Sequence, residues 1–127
     1  MSGNYSGVII EESLADKSVL KKVKIVSTKI SIVEKRHETP WVKQWTMHVV
    51  EIPVEKADLI AEELSKSLTE KHSWYADFKS PLIHYIVYRG KIFKVDRRSK
   101  EQCEEAKKYG LSIGIPAHQI DFSPIVD

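Results

Sequence analysis

The chain has 127 residues and a net charge of +2, and 42% of its residues are hydrophobic and 30% charged. This length suffices for one domain with its own hydrophobic core, without disulfides or a metal as reinforcement. The longest apolar runs are far too short to cross a bilayer, and the charge excludes the strongly basic balance that by itself indicates a nucleic-acid binder. We therefore expect one domain over residues 1–127.

The N-terminal sequence MSGNYSGVIIEESL does not resemble a secretory signal, because no basic segment precedes its apolar run and two glutamates follow at once. Cys103 is the only cysteine. A single cysteine excludes an internal disulfide and a zinc site built from cysteines, and it is compatible with a reducing compartment. We expect a cytoplasmic protein.

The first third of the chain predicts β-structure. Residues 6–11 form a short run rich in β-branched side chains, and residues 19–33 have the composition of one or two strands. The apolar residues of the second run change parity near Val26, which predicts a β-bulge there. Residues 44–52 are predicted as the next strand.

A first helix is predicted over residues 54–68. Pro53 ends the preceding strand and suits a helix entry, where its missing amide costs nothing. The apolar residues that follow recur at spacings of three and four and form one stripe, composed of Ala57, Ile60, Ala61, Leu64 and Leu68.

A second helix is predicted to begin after Ser99. Ser99 is a suitable N-cap, and Gln102 three positions later completes a capping box. The helix is expected to end at Tyr109, with Gly110 in the left-handed conformation that often follows a helix. Cys103 lies on the inner side of this helix, so we expect a core residue rather than a nucleophile.

Three strands are predicted between the helices, over residues 74–78, 83–89 and 92–96, with a tight turn at Gly90. An edge strand around residues 120–122 is an alternative to an irregular C-terminal segment. The element order predicts an α+β protein with a ferredoxin-like (β-α-β-β-α-β) antiparallel sheet and two helices on one face. We expect an N-terminal β extension over residues 1–35 to pack on an α+β core over residues 42–123.

The segment HSWYADFKSPLIHYIVYRGKIFKV predicts how one sheet face is composed. If KSPL is a four-residue connection, Asp77 lies directly opposite His84 and Tyr75 opposite Ile86. A two-residue turn at Gly90 then completes a face that carries Tyr75, Asp77, His84, Ile86, Tyr88, Phe93 and Val95, with Arg97 at its end. The opposite face is more apolar and is expected to hold both helices, so the first face is predicted to be uncovered.

Asp77 and His84 could form an acid/base unit, with His84 as general base and Asp77 as the group that orients it. The plainer interpretation is a cross-strand ion pair, and it is favoured because no nucleophile, metal set or glycine-rich phosphate loop lies nearby in sequence.

A metal site is the weakest of the interpretations. The five histidines, at positions 37, 48, 72, 84 and 118, show neither HxH nor HxxxH spacing. A site assembled from His48, His84 and Asp77 on neighbouring strands is geometrically conceivable, but we expect neither a metal nor a cofactor.

Tyr75, Tyr88 and Phe93, with Arg97 beside them, could stack single-stranded bases on an open sheet. The strand sequence RGKIFKVD does not match the RNA-recognition signature, so nucleic acid is the less favoured partner.

The favoured interpretation is a non-enzymatic binding or regulatory module that self-associates as a dimer through this face, because a one-sided, half-apolar sheet is a common dimer surface. A small ligand could bind between subunits, with Trp41 and Trp45 as walls and His84 as polar anchor.

Four segments together carry a resemblance: GVIIEESL, TPW followed by QWTMHVVEIP, SWYADFK followed by HYIVYRGKIFKV, and AKKYGLSIGIPAHQIDF. Their combination resembles a family of small bacterial and archaeal proteins that has no assigned activity. The resemblance covers nearly the whole chain. It implies a self-contained soluble domain and assigns no catalytic residue, cofactor or ligand.

Overall fold

The structure, a computed structural model, describes residues 4–32, 44–70 and 74–115. Its regular elements are, in chain order, β1 (Asn4–Ile10), β2 (Lys24–Ile32), β3 (Gln44–Pro53), α1 (Ala57–Ser67), β4 (Tyr75–Lys79), β5 (Ile83–Tyr88), β6 (Lys91–Asp96) and α2 (Lys100–Ser112). Short 3-10 helices in these described ranges span Glu11–Ser13, Lys17–Lys22 and Val54–Lys56. Within these described ranges, no helix is long and apolar enough to span a membrane.

All six strands belong to one antiparallel sheet with the order β2-β3-β1-β4-β5-β6. The α+β class is therefore confirmed, but the strand order differs from that of the four-stranded ferredoxin-like sheet. The strand expected in an N-terminal extension lies instead in the middle of the sheet, between β3 and β4. Buried side chains explain this position, because Tyr5 and Ile9 of β1 belong to the main hydrophobic core.

Gly7 adapts β1 to this central position. A Cβ atom at Gly7 would lie 2.1 Å from the backbone oxygen of Asp77 and 2.6 Å from the Cα atom of Phe78. These distances are far below van der Waals contact, so the backbones of β1 and β4 approach more closely here than a side chain would permit.

The two helices pack on opposite faces of the sheet, which corrects the expectation that both share one face. Residues Ile60, Ala61 and Leu64 of α1 join Phe78 and Tyr85 in one core cluster. A second cluster joins residues of α2 to the other face and contains Ile86, Tyr88, Val95, Cys103, Ala106 and Ile115. We call these the α1 face and the α2 face.

Tyr88 shows why the α2 face is covered although its sequence looks less apolar. Its side chain is fully buried, and its hydroxyl donates a hydrogen bond of 2.7 Å to the backbone oxygen of Ala106 in α2. A satisfied phenol buries a large apolar ring without the cost of an unpaired polar atom. A face with tyrosines can therefore hold a helix as well as an aliphatic face.

Most local predictions are confirmed. The β-bulge lies between Ile25 and Ser27, as the parity change at Val26 indicates. Gly90 forms the β5–β6 turn with φ of 74°, and the Ser99 side chain caps α2 by accepting a hydrogen bond from the Gln102 amide.

The predicted end of α2 is wrong. The helix continues through the buried Gly110 to Ser112, and the left-handed glycine is Gly114, with φ of 95°. Glycine is tolerated inside a helix when the site requires a small residue. The possible strand at residues 120–122, together with His37, Trp41, His72 and His118, lies outside the described residues.

Candidate functional sites on the two sheet faces

The Asp77–His84 pair lies on the α2 face, but in a different register from the predicted one. Asp77 is directly opposite Ile86, and His84 is opposite Lys79, so β4 is displaced by two residues relative to the prediction. A displacement of two keeps every side chain on its face. The contact forms diagonally instead, with His84 Nε2 2.7 Å from Asp77 Oδ2.

His84 is buried, whereas the Asp77 side chain is partly exposed. The Tyr75 ring lies beside them, and burial, followed by the negative charge of Asp77, raises the pKa of its phenol well above the usual range. A carboxylate beside an imidazole fixes the orientation and tautomer of the ring. The geometry therefore provides the base and the orienting group of an acid/base pair.

The aromatic residues of the α2 face pack against α2. The Tyr88 ring lies 4.9 Å from the Tyr109 ring and 5.9 Å from the Phe93 ring, and Phe93 lies 5.7 Å from Tyr109. Tyr75 completes the cluster at 6.1 Å from Tyr88. Since Tyr88 is buried and Tyr75 and Phe93 are half-buried, these rings do not form the open platform that stacking of bases requires.

Arg97 makes structural hydrogen bonds and does not form a free basic rim beside the aromatic rings. Its guanidinium donates to the backbone oxygens of Ser80, at 2.8 Å, and Pro81, at 3.2 Å. It thereby fixes the connection between β4 and β5. Cys103 is buried between α2 and the sheet, where burial raises the pKa of its thiol, as expected for a core cysteine.

The metal site considered from His48, His84 and Asp77 is not assembled. His48 pairs with Ile9 and Thr28, whose side chains share the α1 face, whereas His84 and Asp77 lie on the α2 face. In the part of the chain that the structure describes, no group of three or more His, Cys, Asp and Glu side chains could hold a metal ion.

A second histidine site lies on the α1 face, where no motif in the sequence had indicated one. His48 of β3 is hydrogen-bonded on both ring nitrogens: Nδ1 lies 2.8 Å from Thr28 Oγ1 of β2, and Nε2 lies 2.9 Å from Glu11 Oε1. We call this the Thr28–His48–Glu11 chain. Its three members come from β2, β3 and the 3-10 helix after β1, so only the strand register brings them together.

The charge of Glu11 determines which atoms donate the hydrogen bonds in the Thr28–His48–Glu11 chain. The hydrogen bond from His48 lowers the pKa of Glu11 below its usual value, and Lys17, 3.5 Å from Oε2, lowers it further. Glu11 is therefore a carboxylate at neutral pH and must accept, so the proton lies on His48 Nε2. In the neutral ring, Nδ1 is then the acceptor, and the hydroxyl of Thr28 donates to it.

The neighbouring pair Glu12 and Thr46 has a different chemistry. The Glu12 carboxylate accepts from the Thr46 amide at 2.6 Å and from its hydroxyl at 2.7 Å. The last residue pair between β1 and β3 is Ile10 with Met47. Beyond it, the Glu12 carboxylate accepts the hydrogen bond from the backbone of β3 that a continued β1 strand would accept. Glu12 thus fixes the 3-10 helix to β3, without an imidazole between the acid and the hydroxyl.

The β2 strand is the most exposed element. It is at one edge of the sheet, and all of its residues except the half-buried Ser31 are exposed. Its exposed large hydrophobic residues are Ile25, Val26, Ile30 and Ile32. Neither of the two core clusters includes a β2 residue.

Comparison of the chain with protein-family models, curated proteins and solved structures finds no match. The resemblance to a family of small bacterial and archaeal proteins therefore remains a prediction.

Proposed function

We propose that the protein is a binding or regulatory module that self-associates as a dimer, and that β2 forms the contact between the two copies. The observation that supports this proposal is the exposure of apolar side chains on an edge strand, with Ile30 56% and Ile32 68% exposed. We propose β2 as the dimer contact instead of the face with Tyr75, Tyr88 and Phe93, because α2 packs against those rings.

A second copy of β2 is a suitable partner for its outer edge. An edge strand presents unpaired backbone donors and acceptors, and another strand can satisfy them by continuing the sheet. In the described part of the sheet, β3 is the only strand that pairs with β2. Because β2 is nine residues long, an antiparallel pair of copies would extend the sheet across a twofold axis.

The sequence of β2 is compatible with this symmetric pairing. If Thr28 lies opposite its own copy, Lys29 faces Ser27, and Ile30 faces the apolar bulge at Ile25 and Val26. Lys24 lies beyond the bulge, near Ser31 and Ile32 of the other copy, so no two lysines are directly opposite each other. Like charges opposite each other destabilise a strand pair, whereas β-branched apolar pairs stabilise it.

The test is the solution mass by light scattering over a range of protein concentrations, for the wild type, Ile30→Glu and Leu59→Glu. Leu59 is the matched control, because it is 55% exposed and lies on α1, whereas the main neighbours of β2 are β3 and the 3-10 helix Lys17–Lys22. We expect a wild-type dimer that Ile30→Glu dissociates into folded monomers and that Leu59→Glu leaves intact. A wild-type monomer at every concentration, or a dimer lost equally in both variants, would contradict the proposed interface.

A small acid/base enzyme that uses His84 and Asp77 is the second candidate, and the 2.7 Å contact between these side chains favours it. Its test is a screen of hydrolysis of small esters by the wild type, His84→Gln, Asp77→Asn and His48→Gln. Turnover that is lost in the first two variants and retained in the third supports this candidate. Equal rates in all four proteins would exclude it for these substrates.

A further inference from the structure

We infer that Thr28 is an acyl-accepting nucleophile, activated by His48 and Glu11, that takes a small acyl group from an activated donor such as a thioester or an aryl ester. The site is distinct from the Asp77–His84 pair, which lies on the other face of the sheet. It requires no oligomer. In the proposed dimer the second copy would pair with the backbone edge of β2, and the Thr28 side chain would remain on the α1 face of the sheet, so the two proposals are tested separately.

The geometry contains the three groups that hydroxyl activation needs. A weakly nucleophilic hydroxyl becomes reactive when a neighbouring base takes its proton and a third group orients that base. Here Thr28 Oγ1 lies 2.8 Å from His48 Nδ1, and His48 Nε2 lies 2.9 Å from Glu11. The lowered pKa of Glu11 keeps a negative charge beside the imidazolium that forms when His48 takes the proton.

Thr28 and His48 differ in exposure to solvent, as acyl transfer to the Thr28 hydroxyl requires. Thr28 is exposed on the edge strand and open to an incoming donor, whereas His48 is buried and shielded from water.

Acyl transfer to Thr28 needs no reactant besides the acyl donor. Thr28 Oγ1 attacks the carbonyl carbon of the donor while its proton moves to His48 Nδ1. The bond from the carbonyl carbon to the thiolate or phenolate leaving group then breaks, and the leaving group takes the proton from His48, which returns to its neutral form. The product is an ester of Thr28, which water can later hydrolyse.

The test uses p-nitrophenyl acetate with the full-length chain and follows p-nitrophenolate release and acetylation by mass spectrometry. The variants are Thr28→Ser, Thr28→Val and His48→Gln, and Thr46→Val is the matched control, since the Thr46 hydroxyl donates to a carboxylate and not to an imidazole. Alkaline hydroxylamine removes an ester on Thr28 but not an amide on Lys29, so it separates the expected product from non-specific lysine acetylation.

We expect a hydroxylamine-sensitive acetyl group on Thr28 in the wild type, in Thr28→Ser and in Thr46→Val, no such group at this position in Thr28→Val, and a rate at least about tenfold lower in His48→Gln, as for loss of a general base. Acetylation of Thr28 no faster than that of Ser27 or Thr46 would overturn the inference. If His48→Gln does not fold, the rate of Thr28 acetylation relative to that of Ser27 in the wild type still decides, because both residues are exposed on β2 and Thr28 is the one bonded to the His48 imidazole.

Discussion

The two ends of the sheet differ in what covers them. At the β4–β6 end, side chains of β5 are buried on both faces, with α1 on one side and α2 on the other. At the β2 end, nearly every residue is exposed. Because burial of apolar area is the main favourable term in folding, the covered end carries most of the stability and the exposed end is the part available for interaction.

The largest expected effect is the difference in stability loss between the two ends when an isoleucine is replaced by alanine. Ile86→Ala removes a fully buried side chain between β5 and α2 and should lower the free energy of unfolding by about 2–5 kcal/mol. In the monomer, Ile30→Ala on β2 should change it by no more than about 0.5 kcal/mol, as is typical of exposed positions. Urea denaturation at a protein concentration at which any dimer has dissociated measures both. Equal losses in the monomer would contradict the exposure of β2.

Gly7 tests the junction between the two ends. In Gly7→Ala the added methyl group would overlap the backbone of β4 at Asp77 and Phe78, so the strands must move apart. We expect a loss of about 1–3 kcal/mol, the usual cost of overpacking. The control is Gly90→Ala, where a Cβ meets no atom within 4 Å and the cost arises from the positive φ alone. A fully stable Gly7→Ala protein would contradict the register of β1 with β4.

Alkaline pH should act on the covered end. Burial is the main cause that raises the pKa values of Tyr75, Tyr85 and Tyr88 well above 10, and Tyr85 also donates to the Asp58 carboxylate. A raised folded-state pKa stabilises the protein fully below the unfolded value of 10, and this contribution is lost as the pH rises above 10. Tyrosinate absorbance should therefore increase late, together with unfolding. Titration of all five tyrosines near pH 10 without unfolding would contradict this burial.

The sequence predicted the elements better than their arrangement. Periodicity located the first helix, the capping box at Ser99 located the start of the second, and parity located the bulge at Val26, because these signals are local. The central position of β1 depends on the close approach at Gly7, and the place of α2 depends on the satisfied hydroxyl of Tyr88. Neither depends on residues that are close in sequence, so the pattern could not show them.

The candidate sites follow the same rule. The contact of Asp77 with His84 was predicted because one hairpin connects them, although the register differs by two residues. The Thr28–His48–Glu11 chain was missed because its members are separated by 17 to 37 positions and meet only through the β1–β3–β2 pairing. The available signal was the charged Glu11 directly after a strand that is paired with the strand of His48.

The smallest expected effect concerns acid pH at the exposed end. Since the hydrogen bond from His48 lowers the pKa of Glu11, this carboxylate stabilises the folded state above its unfolded value of 4.5, and the contribution is lost as the pH falls through the lower folded value. Glu11→Gln should remove this dependence and cost about 0.5 kcal/mol at neutral pH, as for exposed ion pairs.

The measurement is urea denaturation of wild type and variant at neutral pH and below pH 4.5. The two proteins should differ in stability at neutral pH and converge in acid, because protonated Glu11 and the glutamine that replaces it in the variant are both uncharged there. A difference that persists unchanged in acid would show that the Glu11 charge does not contribute, and would leave His48 without the orienting carboxylate that the acyl-accepting site requires.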